Sequence, residues 1–314
     1  MLYIGIDLGG TGIKAGVVDE QGNILIKDSC PTGSERGYEA VIHDMANLAL
    51  DIVQKGGYSM ADVKAIGIGL PGVMDQRTGR VPFCTNLSWH DVPLVEEMAK
   101  YTDVPVFADN DATVAGLAES VAGVSAGCKS SVFVTLGTGV GGGVIIDGKV
   151  FTGSHGVATE IGHMVTVDNG LQCTCGKRGC WERYASATAL VNEGRMLCAL
   201  KPASTLMQQV NGNIRKINAK HVIDLAKEGD PECARIFDGY IHHLVVGLSN
   251  LINVYDPEII VLGGGVSHAG AFLLNAVRAR LPKYVFFKDL PYARVELAKL
   301  TNDAGIIGAA MLGR

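Results

Sequence analysis

Short runs of apolar, often β-branched residues separated by glycines open the chain. Runs at 2–8, 13–18 and 22–27 predict three consecutive antiparallel strands joined by tight turns. A helical period follows at about 38–55. Strand and helix patterns then alternate along the chain, which predicts an α/β protein. The next predicted elements are a strand at 64–70, a helix at about 92–101, a strand at 104–108 and a helix at about 111–122.

The second half repeats the opening pattern. A strand at 131–136 ends in Leu136-Gly137-Thr138-Gly139-Val140-Gly141, just as the first strand ends in Asp7-Leu8-Gly9-Gly10-Thr11-Gly12. In both copies another strand follows the glycines, at 143–147 in the second. Two copies half a chain apart predict a duplicated domain with a ligand between the halves. Later elements are a helix at about 231–254, a strand at 258–262, the turn Gly263-Gly264-Gly265 and a helix at about 303–313.

Composition and charge narrow the possible classes of protein. The 314 residues suit two domains, and 47% hydrophobic with 19% charged residues predicts a large core. A net charge of −5 with no basic run gives no electrostatic footprint for a nucleic acid. The longest uncharged stretch, 130–146, holds five glycines and indicates strand-turn-strand, not a membrane helix. Because a strand begins directly after Met1, we expect no signal peptide and a cytoplasmic protein.

The two glycine turns are candidate phosphate sites. Glycines let backbone N–H groups approach phosphate oxygens, and threonine hydroxyls add uncharged donors. No Gly-Lys-Ser/Thr follows, so neither turn is a P-loop, and no helix follows, so neither is a dinucleotide fingerprint. Either turn alone is more typical of a tight hairpin without ligand. Their pairing, with Asp7 leading the first and able to hold Mg²⁺, favours a nucleotide-phosphate and metal site.

Asp109-Asn110-Asp111 ends a strand and opens an alanine-rich helix. One interpretation is helix capping by a side-chain oxygen. The other is a general base that accepts a proton from a substrate hydroxyl, with the helix N-terminus favouring the ionised carboxylate. The residues by themselves leave Asp109 and Asp111 open as the base.

Three cysteines and one histidine form a compact set of candidate metal ligands. Cys173, Cys175 and Cys180, with His163, supply the four ligands of a tetrahedral structural Zn²⁺. The alternative is chance clustering of free thiols. The other five cysteines are predicted to be small buried apolar residues: Cys30, Cys84, Cys128, Cys198 and Cys233. Two carboxylates flank the set, Glu160 and Glu182, and a metal-fixed loop would hold them rigid enough to bind the hydroxyls of a sugar.

Taken in order, several motifs resemble the ROK family of the actin-like ATPase superfamily, which contains sugar kinases and repressors. They run along nearly the whole chain: Asp7-Leu-Gly-Gly-Thr, Gly69-Leu-Pro-Gly72, Asn86-Leu-Ser-Trp89, Asn110-Asp111-Ala112, Leu136-Gly-Thr-Gly-Val-Gly-Gly-Gly143, Glu160-Ile-Gly-His163, Cys173-x-Cys175-Gly-x-x-Gly-Cys180-x-Glu182 and Leu262-Gly-Gly-Gly-Val266. The segments Asn86-Leu-Ser-Trp89, Gly264-Gly-Val-Ser267 and Asn302-Asp-Ala-Gly305 most resemble the glucokinases of Gram-positive bacteria.

The resemblance implies a role for each motif. It implies that Asp111 is the catalytic base, that His163 serves both sugar and zinc, and that ATP is the phosphoryl donor. Sugar-binding positions would be Gly72, Asn86, Asn110, Asp111, Glu160, His163 and Glu182. Nucleotide-binding positions would be Asp7, Gly9, Gly10, Thr11, Gly12, Gly137, Thr138, Gly139, Gly141, Gly264 and Gly265. One position departs from the family pattern, because Thr159 stands where glycine usually precedes the Glu-x-x-His motif.

The implied activity is ATP-dependent phosphorylation of a hexose at its 6-hydroxyl, with glucose first among the candidates. Kinases for N-acetylmannosamine, N-acetylglucosamine, fructose or allose are alternatives, as are a sugar-responsive repressor and a sugar-binding protein without turnover. A repressor of the family carries an N-terminal helix-turn-helix domain, for which a first strand at Tyr3 leaves no room. We expect a smaller domain at 1–112 plus about 302–314, a larger one at 113–301, and a homodimer or homotetramer without a nucleic-acid or membrane partner.

Overall fold

The computed structural model describes residues 1–287 and 289–314, and these form two compact units. Unit 1 comprises Met1–Ser131, Gly143–Thr159 and Lys299–Arg314, and unit 2 comprises Val132–Gly142 and Glu160–Ala298. The smaller domain predicted from the sequence lies inside unit 1, which also takes in residues 113–131, 143–159 and 299–301.

Thirteen strands and ten α-helices are assigned among the described residues. The strands are β1 Leu2–Leu8, β2 Gly12–Asp19, β3 Ile24–Pro31, β4 Val63–Leu70, β5 Val73–Asp75, β6 Arg80–Cys84, β7 Trp89–Val92, β8 Val106–Asn110, β9 Ser130–Leu136, β10 Val140–Ile146, β11 Lys149–Val150, β12 Ile259–Gly263 and β13 Arg294–Leu297. The helices are α1 Tyr38–Lys55, α2 Leu94–Met98, α3 Asp111–Ala122, α4 Glu182–Ala185, α5 Ala187–Leu200, α6 Thr205–Gln209, α7 Ala219–Lys227, α8 Pro231–Tyr255, α9 Ala271–Arg280 and α10 Ala304–Met311.

The first sheet has the order β3-β2-β1-β4-β8. The predicted antiparallel run β1-β2-β3 is confirmed, and β4 and β8 continue it in parallel with β1. Alternate residues of β1, Ile4, Ile6 and Leu8, face a core that also contains the apolar side of α1. The apolar pattern identified β1 correctly because alternate residues of a strand face the same side. It identified α1 correctly because residues at a period of 3.6 lie on one face of a helix.

The opposite face of this sheet is covered by the C-terminal helix α10. Its backbone lies directly on the strands, since a Cβ on Gly5 would come within 1.8 Å of Ile306 O and one on Gly67 within 1.7 Å of Ala309 O. The glycines are therefore required by close approach of helix to sheet. Ala118 of α3 packs against α10 as well, which places α3 in unit 1.

A buried glutamate closes unit 1 on itself. Glu119 of α3 has no exposed surface, and its carboxylate accepts hydrogen bonds from the backbone N–H groups of Val124, Lys299 and Leu300 at 2.7–2.8 Å. Such charge-assisted bonds offset the desolvation of the carboxylate. They tie the segment before α10 to α3.

The second sheet has the order β11-β10-β9-β12-β13. In unit 2 the largest fully buried side chain is Trp181, which lies against the long helix α8: its Nε1 donates to His243 O at 2.9 Å. A Cβ on Gly247 would lie 1.9 Å from the indole ring, so glycine is needed there for the ring to pack. The predicted helix at 231–254 is confirmed as α8.

Several elements differ from the sequence prediction. The helix predicted at 92–101 is only α2, because residues after Met98 form turns. The small sheet β5-β6-β7 was not predicted, since its strands are three to five residues long and carry no sustained alternation. Cys84, Cys198 and Cys233 are buried as predicted, whereas Cys30 and Cys128 are partly exposed. No helix in the described part of the chain has the length and apolar character needed to cross a membrane.

Candidate active site

Three parallel strands of the first sheet bring the candidate residues of unit 1 to one edge. Asp7 of β1 pairs in register with Gly69 of β4, and Gly69 pairs with Asp109 of β8. Because parallel strands end at the same edge, the segments that follow them also meet there. The first glycine turn, Gly72 and the Asp109–Asp111 segment therefore share this edge, although they are far apart in sequence.

Asp7 lies on the face of β1 that α10 covers. A Cβ on Gly305, at the start of that helix, would lie 2.5 Å from the Asp7 Cγ. Burial raises the pKa of Asp7, and the Lys14 ammonium, 3.9 Å from Oδ2, acts to lower it. The desolvation of this carboxylate outweighs the effect of Lys14, and a cation bound to its oxygens would offset what remains of the cost.

The turn after β1 is held in a fixed shape by its own backbone and by one threonine. Gly9 N donates to Gly12 O at 2.9 Å, and the fully buried Thr32 donates its hydroxyl to Gly9 O at 2.7 Å and its N–H to Thr11 O at 3.2 Å. Asn86, which is exposed, lies next to the turn, since a Cβ on Gly10 would be 3.7 Å from the Asn86 Cβ.

Asn110 is the N-cap of α3. Its Oδ1 accepts from Ala112 N at 2.9 Å, and its Nδ2 donates to Gly72 O at 3.1 Å. The capping interpretation is therefore confirmed for Asn110. Gly72 has room for no side chain, because a Cβ there would lie 2.8 Å from Phe83 O and from Cys84 Cβ.

The two aspartates beside Asn110 have different surroundings. Asp111 is the first residue of α3 and is exposed, whereas Asp109 is largely enclosed and accepts from Asn110 N at 2.7 Å and from Gln76 Nε2 at 3.3 Å. Burial raises the pKa of Asp109 to about 6. Of the two carboxylates that the sequence left open as the base, Asp111 is the one accessible to a substrate.

The second glycine turn, in unit 2, is fixed by the start of α5. Gly137 N donates to Gly139 O at 3.1 Å, Ala187 N donates to Gly137 O at 2.8 Å, and the Thr188 hydroxyl donates to Thr138 O at 2.6 Å.

The turn after β12 lies beside the second glycine turn. A Cβ on Gly264, which has φ +79°, would be 2.7 Å from Leu136 N. The space around the Cα of Gly265 is open, and Gly141 is partly exposed within β10. The candidate phosphate turn and the candidate adenosine turn of unit 2 are therefore neighbours.

Glu182 connects the second glycine turn to the cysteine loop. A Cβ on Gly139 would lie 2.6 Å from Glu182 Oε2, while Oε1 accepts from Cys173 Sγ at 3.1 Å and lies 3.7 Å from His163 Nδ1. Glu182 begins α4, directly after Cys180 and Trp181. One carboxylate thus touches both a predicted phosphate turn and two of the predicted zinc ligands.

The four predicted metal ligands come together in the fold. The ligand atoms of His163, Cys173, Cys175 and Cys180 lie within 4.8 Å of one another. Cys175 Sγ is 3.6 Å from Cys180 Sγ, and Cys173 Sγ is 3.7 Å from His163 Nδ1. Zn–S bonds of about 2.3 Å in a tetrahedron separate two sulfurs by about 3.8 Å, so the donor set fits Zn²⁺.

The electrostatics of these thiols also favour a cation. Burial raises the pKa of Cys173, and burial followed by the hydrogen bond with Cys175 raises the pKa of Cys180 to about 12. The backbone N–H of Lys177 lowers the pKa of Cys175. A bound metal would offset the cost of ionising the two buried thiols.

Thr159 has an unusual backbone conformation. Its φ is +70°, in the region that favours glycine, and Gly153 and Gly156 nearby have φ +71° and +72°. A β-branched residue at such a φ is an outlier. The position at which the sequence departs from the family pattern is therefore one where the backbone itself favours glycine, immediately before the exposed Glu160.

Four residues that position these groups have no signature in the sequence motifs: Lys14, Thr32, Gln76 and Thr188. Thr32, Gln76 and Thr188 act through contacts with residues distant in the chain, and Lys14 acts on Asp7 across the β1–β2 hairpin. None of the four belongs to a spaced motif. Only Thr188 could have been noticed in the sequence, because it lies in the first turn of α5, two residues after the capping residue Ser186.

Comparison with known proteins supports one family along the whole chain. The ROK family model matches residues 3–314. A glucokinase from Thermotoga maritima is 39% identical over 313 residues, which cover 98% of this chain and 96% of the relative. A crystal structure of a ROK family glucokinase from Streptomyces griseus in complex with glucose and AMPPNP is 36% identical, with a TM-score of 0.81 over 99% of both chains. The ROK hexokinase of Thermus thermophilus is 32% identical, with a TM-score of 0.86 over 99% of this chain and 97% of that one. This chain therefore belongs to the ROK family and has the actin-like ATPase fold of that family.

Proposed function

We propose that this protein is a glucokinase that transfers the γ-phosphoryl group of ATP to the 6-hydroxyl of glucose. The observation that carries the proposal is full-length similarity to glucokinases, at 39% identity to the Thermotoga enzyme and 36% to a Streptomyces enzyme crystallised with glucose and AMPPNP. The Asn110-Asp111 pair at the start of α3 supports it from the chemistry of the site.

Unit 1 contributes the general base. The Asp111 carboxylate takes the proton of the sugar 6-hydroxyl as that oxygen forms a bond to the γ-phosphorus and the bond to ADP breaks. Asn110, held by the helix N-terminus and by Gly72 O, binds a sugar hydroxyl. Gly72 and Asn86 are the other sugar contacts that we propose in unit 1. General-base catalysis of this kind contributes about 10²- to 10⁴-fold in rate.

The first glycine turn of unit 1 binds phosphate oxygens of ATP through its backbone N–H groups. Asp7 would supply a carboxylate oxygen to Mg²⁺. When bound, Mg²⁺ neutralises charge on the phosphates. The desolvated setting of Asp7 beside Lys14 is consistent with this role.

Unit 2 holds the second glycine turn, which we infer to bind phosphate, and three further residues that we infer to bind sugar. Glu160 and Glu182 accept hydrogen bonds from sugar hydroxyls, and His163 forms a hydrogen bond with another through its ring. The zinc ligands Cys173, Cys175 and Cys180 would hold His163 and Glu182 in place. The zinc would be structural, because four protein ligands, His163 among them, would leave no open position. Gly264 and Gly265 contact the adenosine.

The role of Asp111 is tested by Asp111→Ala. We expect kcat to fall by about 10²- to 10⁴-fold while glucose binding, measured by calorimetry, persists. Asp51→Ala, on the exposed side of α1, is the matched control and should leave kcat unchanged. Wild-type turnover in Asp111→Ala would remove the assignment.

The zinc proposal is tested by Cys175→Ser, since this thiol is exposed and its replacement leaves the core intact. We expect about one zinc per wild-type chain by mass spectrometry and substantially less in the variant. The KM for glucose should rise more than the KM for ATP, because Glu182 and His163 lose their support. A variant with full zinc content and unchanged glucose KM would contradict the proposed ligand set.

The choice of glucose over other hexoses is tested by kcat/KM for glucose, fructose, allose, N-acetylglucosamine and N-acetylmannosamine with ATP and Mg²⁺. We expect glucose to be the preferred substrate. We also predict a homodimer or homotetramer in the cytoplasm, without a nucleic-acid partner. Light scattering tests the oligomeric state, and a DNA-binding assay tests the absence of nucleic-acid binding.

A further inference from the structure

The two glycine turns are closed by the same internal hydrogen bond, although one belongs to unit 1 and the other to unit 2. In each turn the first glycine donates its backbone N–H to a carbonyl at the end of the turn. Gly9 N donates to Gly12 O at 2.9 Å, and Gly137 N donates to Gly139 O at 3.1 Å. One carbonyl oxygen of each turn is therefore bonded within the turn itself.

Each turn also accepts a hydrogen bond from the hydroxyl of a threonine outside its glycine motif. Thr32, directly after β3, donates its hydroxyl to Gly9 O at 2.7 Å. Thr188, in the first turn of α5, donates its hydroxyl to Thr138 O at 2.6 Å. The two threonines come from unrelated elements, one after a strand and one inside a helix. Because the same contact recurs in two different settings, we attribute it to the turns and not to the packing around them.

A backbone N–H beside each of these hydroxyls takes up a third carbonyl of the turn. The N–H of Thr32 donates to Thr11 O at 3.2 Å, and the N–H of Ala187 donates to Gly137 O at 2.8 Å. Each turn thus has three carbonyl oxygens bonded to protein donors: those of Gly9, Thr11 and Gly12 in unit 1, and those of Gly137, Thr138 and Gly139 in unit 2.

Backbone donors of the turns are left available. The N–H groups of Gly10, Thr11 and Thr138 donate to no acceptor among residues 1–287 and 289–314. Thr11 and Thr138 are also exposed. Backbone N–H groups at such turns bind anions, whereas a carbonyl oxygen carries the opposite partial charge and repels a phosphate oxygen. A turn whose carbonyls are held by the protein therefore presents mainly donors to a phosphate.

We propose that Thr32 and Thr188 are positioning residues for ATP. Each hydroxyl holds one carbonyl of its turn away from the phosphates, and neither residue touches the nucleotide in this role. The inference rests on the proposed function, since it takes both turns as phosphate sites. Thr32 is fully buried and Thr188 is partly exposed, so water replaces the lost hydroxyl less readily at Thr32.

The experiment measures nucleotide binding without turnover. The full chain is titrated calorimetrically with AMPPNP in the presence of Mg²⁺ and, separately, with adenosine, which has no phosphate. The variants are Thr32→Val and Thr188→Val, which keep the β-branched shape and lose only the hydroxyl, and Thr32→Ser and Thr188→Ser, which keep the hydroxyl. If Thr32→Val does not fold, the partly exposed Thr188 carries the test by itself.

Thr102→Val is the matched control. It also removes a threonine hydroxyl that makes a hydrogen bond, since Thr102 Oγ1 accepts from Val104 N at 3.1 Å. This bond precedes β8, at the end of the strand opposite Asn110, and it involves neither glycine turn.

We expect the Kd of AMPPNP to rise about tenfold in Thr32→Val and about threefold in Thr188→Val. The Kd of adenosine should stay within about twofold of the wild-type value, because adenosine has no phosphate to be repelled. The serine variants and Thr102→Val should bind AMPPNP as the wild type does. In steady-state kinetics the KM for ATP should rise in the valine variants in the same proportion, while the KM for glucose stays within about twofold.

Three results would overturn the proposal. The first is an AMPPNP Kd within about twofold of the wild-type value in both valine variants. The second is an equal loss of affinity for adenosine, which would show general damage to the unit. The third is an equal loss in the serine variants, which would show that the methyl group matters and the hydroxyl does not.

The binding measurement separates this proposal from the proposed function. The expected losses of AMPPNP affinity would support the role of the two threonines even in a protein that phosphorylates no glucose. Absence of glucose phosphorylation would reject only the glucokinase assignment.

Discussion

Replacing Thr159 with glycine tests whether the backbone before Glu160 is strained. Thr159 has φ +70°, and a non-glycine residue in this region costs about 1–2 kcal/mol, more for a β-branched one. Glycine removes that cost but adds about 0.5–1 kcal/mol of chain entropy to the unfolded state. We therefore expect Thr159→Gly to raise the free energy of unfolding by about 1 kcal/mol, which is about 2 °C in Tm for a chain of this size.

The same substitution should weaken sugar binding. Glycine releases backbone freedom directly before Glu160, and reordering one residue costs about 1 kcal/mol, or about fivefold in affinity. The glucose KM should rise about fivefold with kcat nearly unchanged, the pattern expected when binding is lost equally from ground and transition states. Thermal unfolding by calorimetry and steady-state kinetics measure the two effects.

Thr159→Val is the matched control, because it keeps the β-branched shape and removes only the hydroxyl. It should not gain stability and should keep the wild-type glucose KM more closely than Thr159→Gly does. A Tm for Thr159→Gly below that of the wild type would show that side-chain contacts of Thr159 outweigh backbone strain, and would refute the reasoning.

Two further substitutions test buried carboxylates of unit 1. Glu119→Ala leaves three backbone N–H groups without an acceptor. It should lower the free energy of unfolding, measured by chemical denaturation, by at least about 3 kcal/mol. A loss below about 1 kcal/mol would mean that water replaces the carboxylate. Burial raises the pKa of Asp109 to about 6, so between about pH 4 and 6 the folded chain holds a proton that the unfolded chain releases, and stability falls as the pH rises through that window. Asp109→Asn removes the charge, so it should gain up to about 3 kcal/mol over the wild type above pH 6 and nothing below pH 4. Equal curves at pH 7.5 would contradict the assignment.

The sequence alone determined the local elements that have a strong period and the sites whose ligands are close in the chain. Strand β1 and helices α1 and α8 follow from their apolar patterns, because alternation of two or of 3.6 residues reflects one buried face. The cysteine loop follows equally well, because Cys173, Cys175 and Cys180 are separated by so few residues that any fold keeps them together. Family motifs supplied the remaining assignments.

Only the tertiary structure decided what depends on residues distant in the chain. The alignment of Asp7, Gly69 and Asp109 arises from strand register, and the contact of Glu182 with Gly139 arises from the packing of α4, which no local pattern encodes. The positive φ of Thr159 was likewise invisible in the sequence, where threonine gives no sign of a left-handed backbone. Local periodicity records which side of an element is buried, but not which residues of other elements lie against it; that is settled when the chain packs.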